Sequence, residues 1–297
     1  MSSLLEKRLV LVTGKGGAGK STVAAALGRV AARQGKRVVV CEVAEQSRLG
    51  GLLGGTGVHH ESVDPERAKQ EWLRYQLKSR TLAGVLGGSR LFQYLTAAAP
   101  GLTELVTMGK VWDLAQLEPR TAAHDYDLAI VDGPATGHGL AMLQAPSTYA
   151  RIASAGPVGR HAERIDSFVR DPAKTGVLAV ALPEEMPVNE TVEFERALRR
   201  ELGMRVDAIV VNAVHPARFR AEEVRRLETA AGRARGVARA ALGAALSEHH
   251  RARAEHAQLR RLRRAATAEV ATLPRIFEPE LGREELERLS IELERKL

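Results

Sequence analysis

The residues with the most chemistry to offer are Gly14-Lys15-Gly16-Gly17-Ala18-Gly19-Lys20-Ser21-Thr22. A glycine, four residues, then Gly-Lys-Ser is the spacing of a phosphate-binding loop. Glycines let successive backbone N–H groups turn inward on a polyphosphate. A helix starting at Lys20 adds the partial positive charge of its N-terminus. Lys20 would pair with the β- and γ-phosphates of a nucleoside triphosphate, and the Ser21 hydroxyl would ligate Mg²⁺. The stretch also spells Gly14-x-Gly16-x-x-Gly19, the dinucleotide pattern, with Glu42 available as its ribose acid. Lys20-Ser21 decides for the triphosphate, because a dinucleotide loop needs neither a lysine nor a magnesium hydroxyl there.

Such a loop must be held between a strand and a helix. Residues 9–12 are an apolar run with the look of a buried strand, and 20–34 read as an alanine-rich helix closed by Gly35. Residues 38–41 form a second buried strand. Its end delivers Glu42 and Glu45 beside the loop, where open α/β sheets place ligands. Gly50, Gly51, Gly54, Gly55 and Gly57 read either as a plain surface loop or as a hinge answering the γ-phosphate. Residues 64–117 read as helical, broken at Gly87-Gly88 and Pro100-Gly101. That is too long for one crossover helix, so a helical insertion is expected at about 64–118. Its aromatic residues either pack on the core or line a groove. Residues 126–131 are a further strand, ending in Asp132, a carboxylate placed to hold a water on Mg²⁺. A helix over 147–169, a strand over 177–182, a helix over 188–202 and a strand over 208–211 follow. Arginine-rich helices, a last strand at Leu273-Pro274 and a helix over 283–296 close the chain.

Two further patterns carry a resemblance. Lys15 directly follows the first glycine, and Asp132-Gly133-Pro134-Ala135-Thr136-Gly137-His138 is followed by Leu143-Gln144-x-Pro146. The chain thereby resembles the deviant P-loop ATPases, the group of MinD, ParA, the nitrogenase iron protein and the arsenical-pump ATPase. The Asp132 stretch is most similar to the arsenical-pump ATPase and to its eukaryotic relative that delivers tail-anchored membrane proteins. Their motif reads Asp-Thr-Ala-Pro-Thr-Gly-His, so Gly133 and Ala135 depart from it while the rest agree. The resemblance spans nearly the whole chain and implies slow ATP hydrolysis in a dimer, either a homodimer or a heterodimer with a paralogue. It implies that Lys15 reaches the partner's nucleotide, that Lys20 serves its own, and that Asn212 contacts adenine with Pro274 nearby. It implies Mg²⁺ held by Ser21 and Asp132, with Glu42 standing at the first switch carboxylate. The water-orienting aspartate of the relatives falls on Leu49, which leaves Glu45 as the nearest substitute. It also implies an unidentified protein client.

Composition narrows the partners. The net charge of +8 is localised: residues 218–264 hold 13 Arg and no Lys against 5 Glu and no Asp, so the remaining chain sums to zero. Phe219 is the only aromatic there, and the arginines fall among alanines and leucines at helical spacing, so a solvated helical face is expected and nucleic acid is not. The single cysteine, Cys41, cannot build the thiolate cluster that arsenite or zinc wants within one chain. No signal peptide or membrane span is read, and a cytoplasmic protein is expected. The expected fold is one α/β P-loop NTPase domain over residues 1–297, a mostly parallel sheet flanked by helices with an inserted helical subdomain. A ParA- or MinD-like partitioning ATPase and a hydrolysis-deficient regulatory subunit remain alternatives.

Overall fold

A computed structural model describes residues 4–43, 48–77, 101–116, 125–153, 156–278 and 280–296. Seven strands form one sheet in the order β3-β2-β4-β1-β5-β6-β7, and every described pairing is parallel. They are β1 (Leu9–Gly14), β2 (Val38–Glu42), β3 (Val58–Ser62), β4 (Leu128–Asp132), β5 (Thr175–Ala181), β6 (Ala208–Val214) and β7 (Glu269–Pro274). The central strands are buried along their whole length, which is why they read as unbroken apolar runs.

Alternation along each strand feeds two cores. Val10, Val12, Val40, Ile130, Val180 and Val210 face α1 (Lys20–Arg33), α2 (Arg48–Leu53) and the C-terminal helix α10 (Arg283–Glu294). Leu9, Leu11, Cys41, Val131, Val177 and Val211 face the opposite layer. That layer holds α3 (Pro65–Leu77), α4 (Leu102–Ala115), α5 (Thr136–Ile152), α6 (Pro157–Arg170), α7 (Glu185–Leu202) and the inner half of α9 (Gly236–Ala265). Between β6 and α9 lies α8 (Ala221–Arg233). Among the described residues, no helix is long and apolar enough to cross a membrane.

The expected C-terminal helix docks as its leucine stripe predicts. Leu286, Leu289 and Leu293 are buried against α1, while Arg33 pairs with Glu287 and Glu294 at the edge of that contact. Leu297 lies outside the described residues.

Two expectations about local structure are corrected. The glycine-rich stretch after Glu42 is not simply loop. It forms the short α2 and the edge strand β3, which pairs with β2 from Val58 to Ser62. Leu49 and Leu53 are the anchors: both are fully buried under the sheet, so two apolar residues four apart overrule the glycines around them. The single helix expected over 147–169 is two, α5, which starts earlier at Thr136 and runs through Pro146, and α6 from Pro157. Gly139 fits in α5 because a Cβ would lie 2.6 Å from Thr13 Oγ1, so helix and loop strand approach closely.

In the stretch read as an insertion, α4 buries Leu105, Val106, Met108, Val111 and Trp112 in the sheet's core. Those side chains pack the layer rather than wall a groove. Residues 78–100, with Phe92 and Tyr94, lie outside the described residues, as do the side chains of Trp72 and Tyr75.

Candidate functional site

The phosphate-binding loop leaves the end of β1, between β4 and β5. Gly14 sits against β5 so closely that a Cβ would lie 2.0 Å from the Val180 carbonyl oxygen. The loop folds on itself through an Ala18 N–H to Lys15 carbonyl bond of 3.1 Å, which leaves Lys15, Gly16 and Gly17 at the mouth. The N-terminus of α1 has no side-chain cap, so its first amides are left for an anion. Lys20 reaches back over the loop, its Nζ 3.5 Å from the Lys15 carbonyl. Burial holds the Lys20 ammonium below its ordinary range, and the nearby Asp132 charge partly restores it. A half-buried lysine in this position gains strongly from a phosphate counterion. Thr22 completes the first turn of α1 and is half-buried.

Asp132 ends β4 beside this turn. Ser21 Oγ donates to Asp132 Oδ2 at 2.5 Å, while Asp132 Oδ1 is buried with no partner. Burial pushes the Asp132 carboxyl above its ordinary range, opposed by the Ser21 hydrogen bond and the Lys20 charge, and Glu42 pushes the same way as burial. One hydroxyl and one carboxylate with an unused oxygen suit Mg²⁺, which keeps most of its waters and binds one or two protein groups plus phosphate. Among the described residues no group of three or more His, Cys, Asp or Glu could hold a metal alone. The orphaned Oδ1 therefore fits a magnesium ion that arrives with the nucleotide.

Glu42 is opposite Asp132 in the β2–β4 register and is almost fully buried. Its Oε2 lies 3.1 Å from His60 Nε2 on β3, a partner the sequence did not reveal. Glu45 lies outside the described residues. Cys41 is a core residue of β2, and burial pushes its thiol up to about 12, far from a ready thiolate.

The base side of the site is built by β6 and β7. Asn212 Nδ2 donates to the Ala18 carbonyl at 3.0 Å, which ties the loop to β6. A bulge between Val211 and Val214 aims it there, with Ala213 at φ 57 as the only positive-φ non-glycine among the described residues. Pro274 is exposed at the end of β7, paired with Val214. Behind this corner His215 is buried, with Nδ1 2.7 Å from Glu255 Oε1 on α9, and the His215 N–H donates to Glu255 Oε2 at 2.9 Å. This pair fixes the corner from the arginine-rich helix, and nothing in the sequence joined two residues 40 apart.

The third finding is on Lys15. Its Nζ lies 2.5 Å from Glu190 Oε1 on α7, with each side chain about one-third exposed. Thr13, also not singled out, donates from Oγ1 to the Pro134 carbonyl at 2.9 Å and so links the loop strand to the segment after Asp132. His138 is exposed in the first turn of α5.

Gly19 is confined by both its backbone and its neighbour. It has φ 90, and a Cβ would lie 2.2 Å from Asn212 Nδ2. Gly19→Ala is expected to cost about 1–2 kcal/mol of backbone strain. It should also weaken nucleotide binding about tenfold in a fluorescent-nucleotide titration. Adding Asn212→Ala to Gly19→Ala should relieve the clash but not the strained φ, so only part of the lost melting temperature should return.

Residues 9–252 match the family described as the CobQ/CobB/MinD/ParA nucleotide binding domain. The chain belongs to that family. It is 28% identical over 239 residues to ATPase BagA of Mycobacterium tuberculosis, covering 75% of this chain and 70% of that one. It is 28% identical over 198 residues to the arsenical pump-driving ATPase of Escherichia coli, covering 66% of this chain and 33% of that one. It is 24% identical over 275 residues to ATPase GET3C of Arabidopsis thaliana, covering 73% of this chain and 69% of that one. These similarities agree with the resemblance carried by Lys15 and by the Asp132 to Pro146 motif, and with an α/β P-loop fold.

Proposed function

We propose that this chain is an ATP-driven molecular switch: it binds ATP with Mg²⁺, pairs with a second subunit across the nucleotide face, and hydrolyses slowly. The observation that carries this reading is the Ser21–Asp132 pair with its unused buried oxygen under an uncapped, glycine-lined helix N-terminus. The family membership and the relatives named as ATPases support it. Lys20 would neutralise the β- and γ-phosphates. Ser21 and Asp132 would hold Mg²⁺, the first directly and the second through water, and the ion would neutralise charge on the transferring phosphoryl group when bound. The bond from Thr13 to the Pro134 carbonyl ties the strand that carries the phosphate loop to the segment leading from Asp132 into α5 and the helical layer.

Adenine is favoured over guanine by Asn212. One N–H of its amide is used on the Ala18 carbonyl, which leaves the second N–H as a donor and Oδ1 as an acceptor. Adenine offers an amino donor at C6, where guanine offers an oxygen.

Lys15 is the residue for pairing. In the single chain it is parked on Glu190, a partly exposed ion pair worth at most about 1 kcal/mol. A partner's polyphosphate is the stronger counterion, so Lys15 can leave Glu190 at low cost. Sedimentation with a non-hydrolysable ATP analogue tests this. The parent should dimerise with ATP and Mg²⁺, and Lys15→Ala should bind nucleotide almost normally but pair at least tenfold more weakly, the loss of one charge-assisted contact. Glu190→Gln should pair at lower protein concentration than the parent. Lys20→Ala should lose nucleotide binding itself. Unchanged pairing in Lys15→Ala would remove it from the interface. Mixing tagged copies of this chain distinguishes a homodimer from a pairing with a paralogue: co-purification with ATP means a homodimer.

A further inference from the structure

The arginine-rich segment is a helical hairpin, and it is more than a solvated face. α9 is 30 residues long, about 45 Å, yet its buried positions begin only at Ala252. The outer half packs against α8, and the pair stands away from the two cores described above. Along this hairpin runs a groove of about 690 Å³. Ala230, Ala234 and Leu242 give it an apolar lining, and Arg225, Arg226 and Arg233 give it charge. Arg226 is tied to Glu222 at 2.6 Å. Among the described residues, Arg225 and Arg233 meet no acidic partner, and neither do Arg235 and Arg239 around the hairpin's tip.

We propose that this groove docks an acidic amphipathic helix of a partner protein. Small residues at 230 and 234 let another helix backbone come close, and Leu242 offers one apolar contact. Arg226 and Arg233 are seven residues apart, two helical turns or about 10 Å, which matches carboxylates two turns apart on a docked helix. The basic groups here are all arginine, whose planar fork bonds a carboxylate through two N–H groups at once. The groove's own lining supplies the complement, with Arg225, Arg226 and Arg233 against Glu222 alone, and Arg235 and Arg239 follow at the tip. A nucleic acid would want aromatic platforms or base-reading side chains, and a lipid surface would have no use for an apolar-lined groove. The proposal does not depend on how the nucleotide site works.

The test uses the full chain and a fluorescein-labelled helical peptide with a leucine stripe flanked by glutamates. Controls are the same peptide with lysines for glutamates, a DNA duplex, and phosphatidylcholine–phosphatidylserine vesicles. The acidic peptide should bind, should weaken as salt rises, and should be at least tenfold weaker with R225E/R233E. These arginines are exposed and unpaired, so the variant should keep the parent's melting temperature. Ala230→Glu is a second variant that blocks the groove with one exposed substitution and should weaken binding likewise. The proposal is overturned if the acidic peptide fails to bind, if neither variant weakens it, or if the duplex or the vesicles bind as tightly through the same arginines. It is also overturned if sedimentation shows that R225E/R233E abolishes self-association of the parent, because the occupant is then a second copy.

Discussion

Asp132→Asn should make the nucleotide-free protein melt several degrees higher while reducing Mg²⁺-dependent hydrolysis by about 10²-fold or more. The two effects have one cause. Asp132 is nearly fully buried, one of its oxygens has no partner, and its carboxyl is held above the ordinary range chiefly by burial. A raised carboxyl favours the protonated form in the fold. Its contribution to stability is fully present below the unfolded value, near 3.8, and is lost as pH rises through the folded value. At neutral pH the parent therefore carries the full cost of the buried charge, even after the help from Ser21 and Lys20. Asparagine keeps the size and a bond to Ser21 without the charge. Removal of the buried charge sets the gain, about 1 kcal/mol, because the amide still leaves a buried polar atom where Oδ1 has no partner and loses the pull of Lys20. The gap between variant and parent should widen from pH 4 upward. With ATP and Mg²⁺ the order should reverse, because the parent gains stability by binding and the variant does not. Thermal scans across pH, with and without ligand, decide it. A nucleotide-free variant that melts below the parent would show that Asp132 is not a strained ligand held in reserve.

The parts of this molecule that the sequence disclosed are those fixed by local chemistry. The loop from Gly14 to Thr22 is legible because glycine and Lys-Ser are required there by backbone geometry and charge. The strands are legible because burial on both sheet faces leaves unbroken Val, Leu and Ile. The α2–β3 segment was hidden, since five glycines obscure the two leucines that anchor it, and an edge strand such as Val58–Ser62 is only partly buried. The start of α5 was hidden likewise by Gly137 and Gly139, of which Gly139 is required by the close approach to Thr13. Pairings across long separations were out of reach. The contact of Glu190 with Lys15 joins residues 175 apart. The His215–Glu255 pair behind Asn212 is of the same kind, and so is the His60 partner of Glu42. The sequence showed Lys15 and Glu42 and tertiary packing supplied their partners, whereas of His215 and Glu255 it showed neither.

Leu49 gives the other large effect. It stands where the resemblance would place the aspartate that orients the attacking water. Restoring the carboxylate should not restore fast hydrolysis. Leu49 is fully buried at the start of α2, in the core that α1 and β2 share. Leu49→Asp removes a packed leucine and buries a charge with no partner, so about 4–5 kcal/mol or more of stability should be lost. Leu49→Asn omits the charge and should lose less, with no gain in rate. Water positioning must then come from another group, and Glu45 is the carboxylate nearest in sequence. Single-turnover hydrolysis should be slow in the parent, well below the tens per second common among enzymes. It should be unchanged or slower in Leu49→Asn, and slower in Glu45→Gln if that carboxylate orients the water. A rate rise in Leu49→Asp without loss of melting temperature would mean that α2 leaves the core when ATP binds, so that position 49 reaches the γ-phosphate. Fast unassisted turnover by the parent would end the slow-switch reading, whatever the variants do.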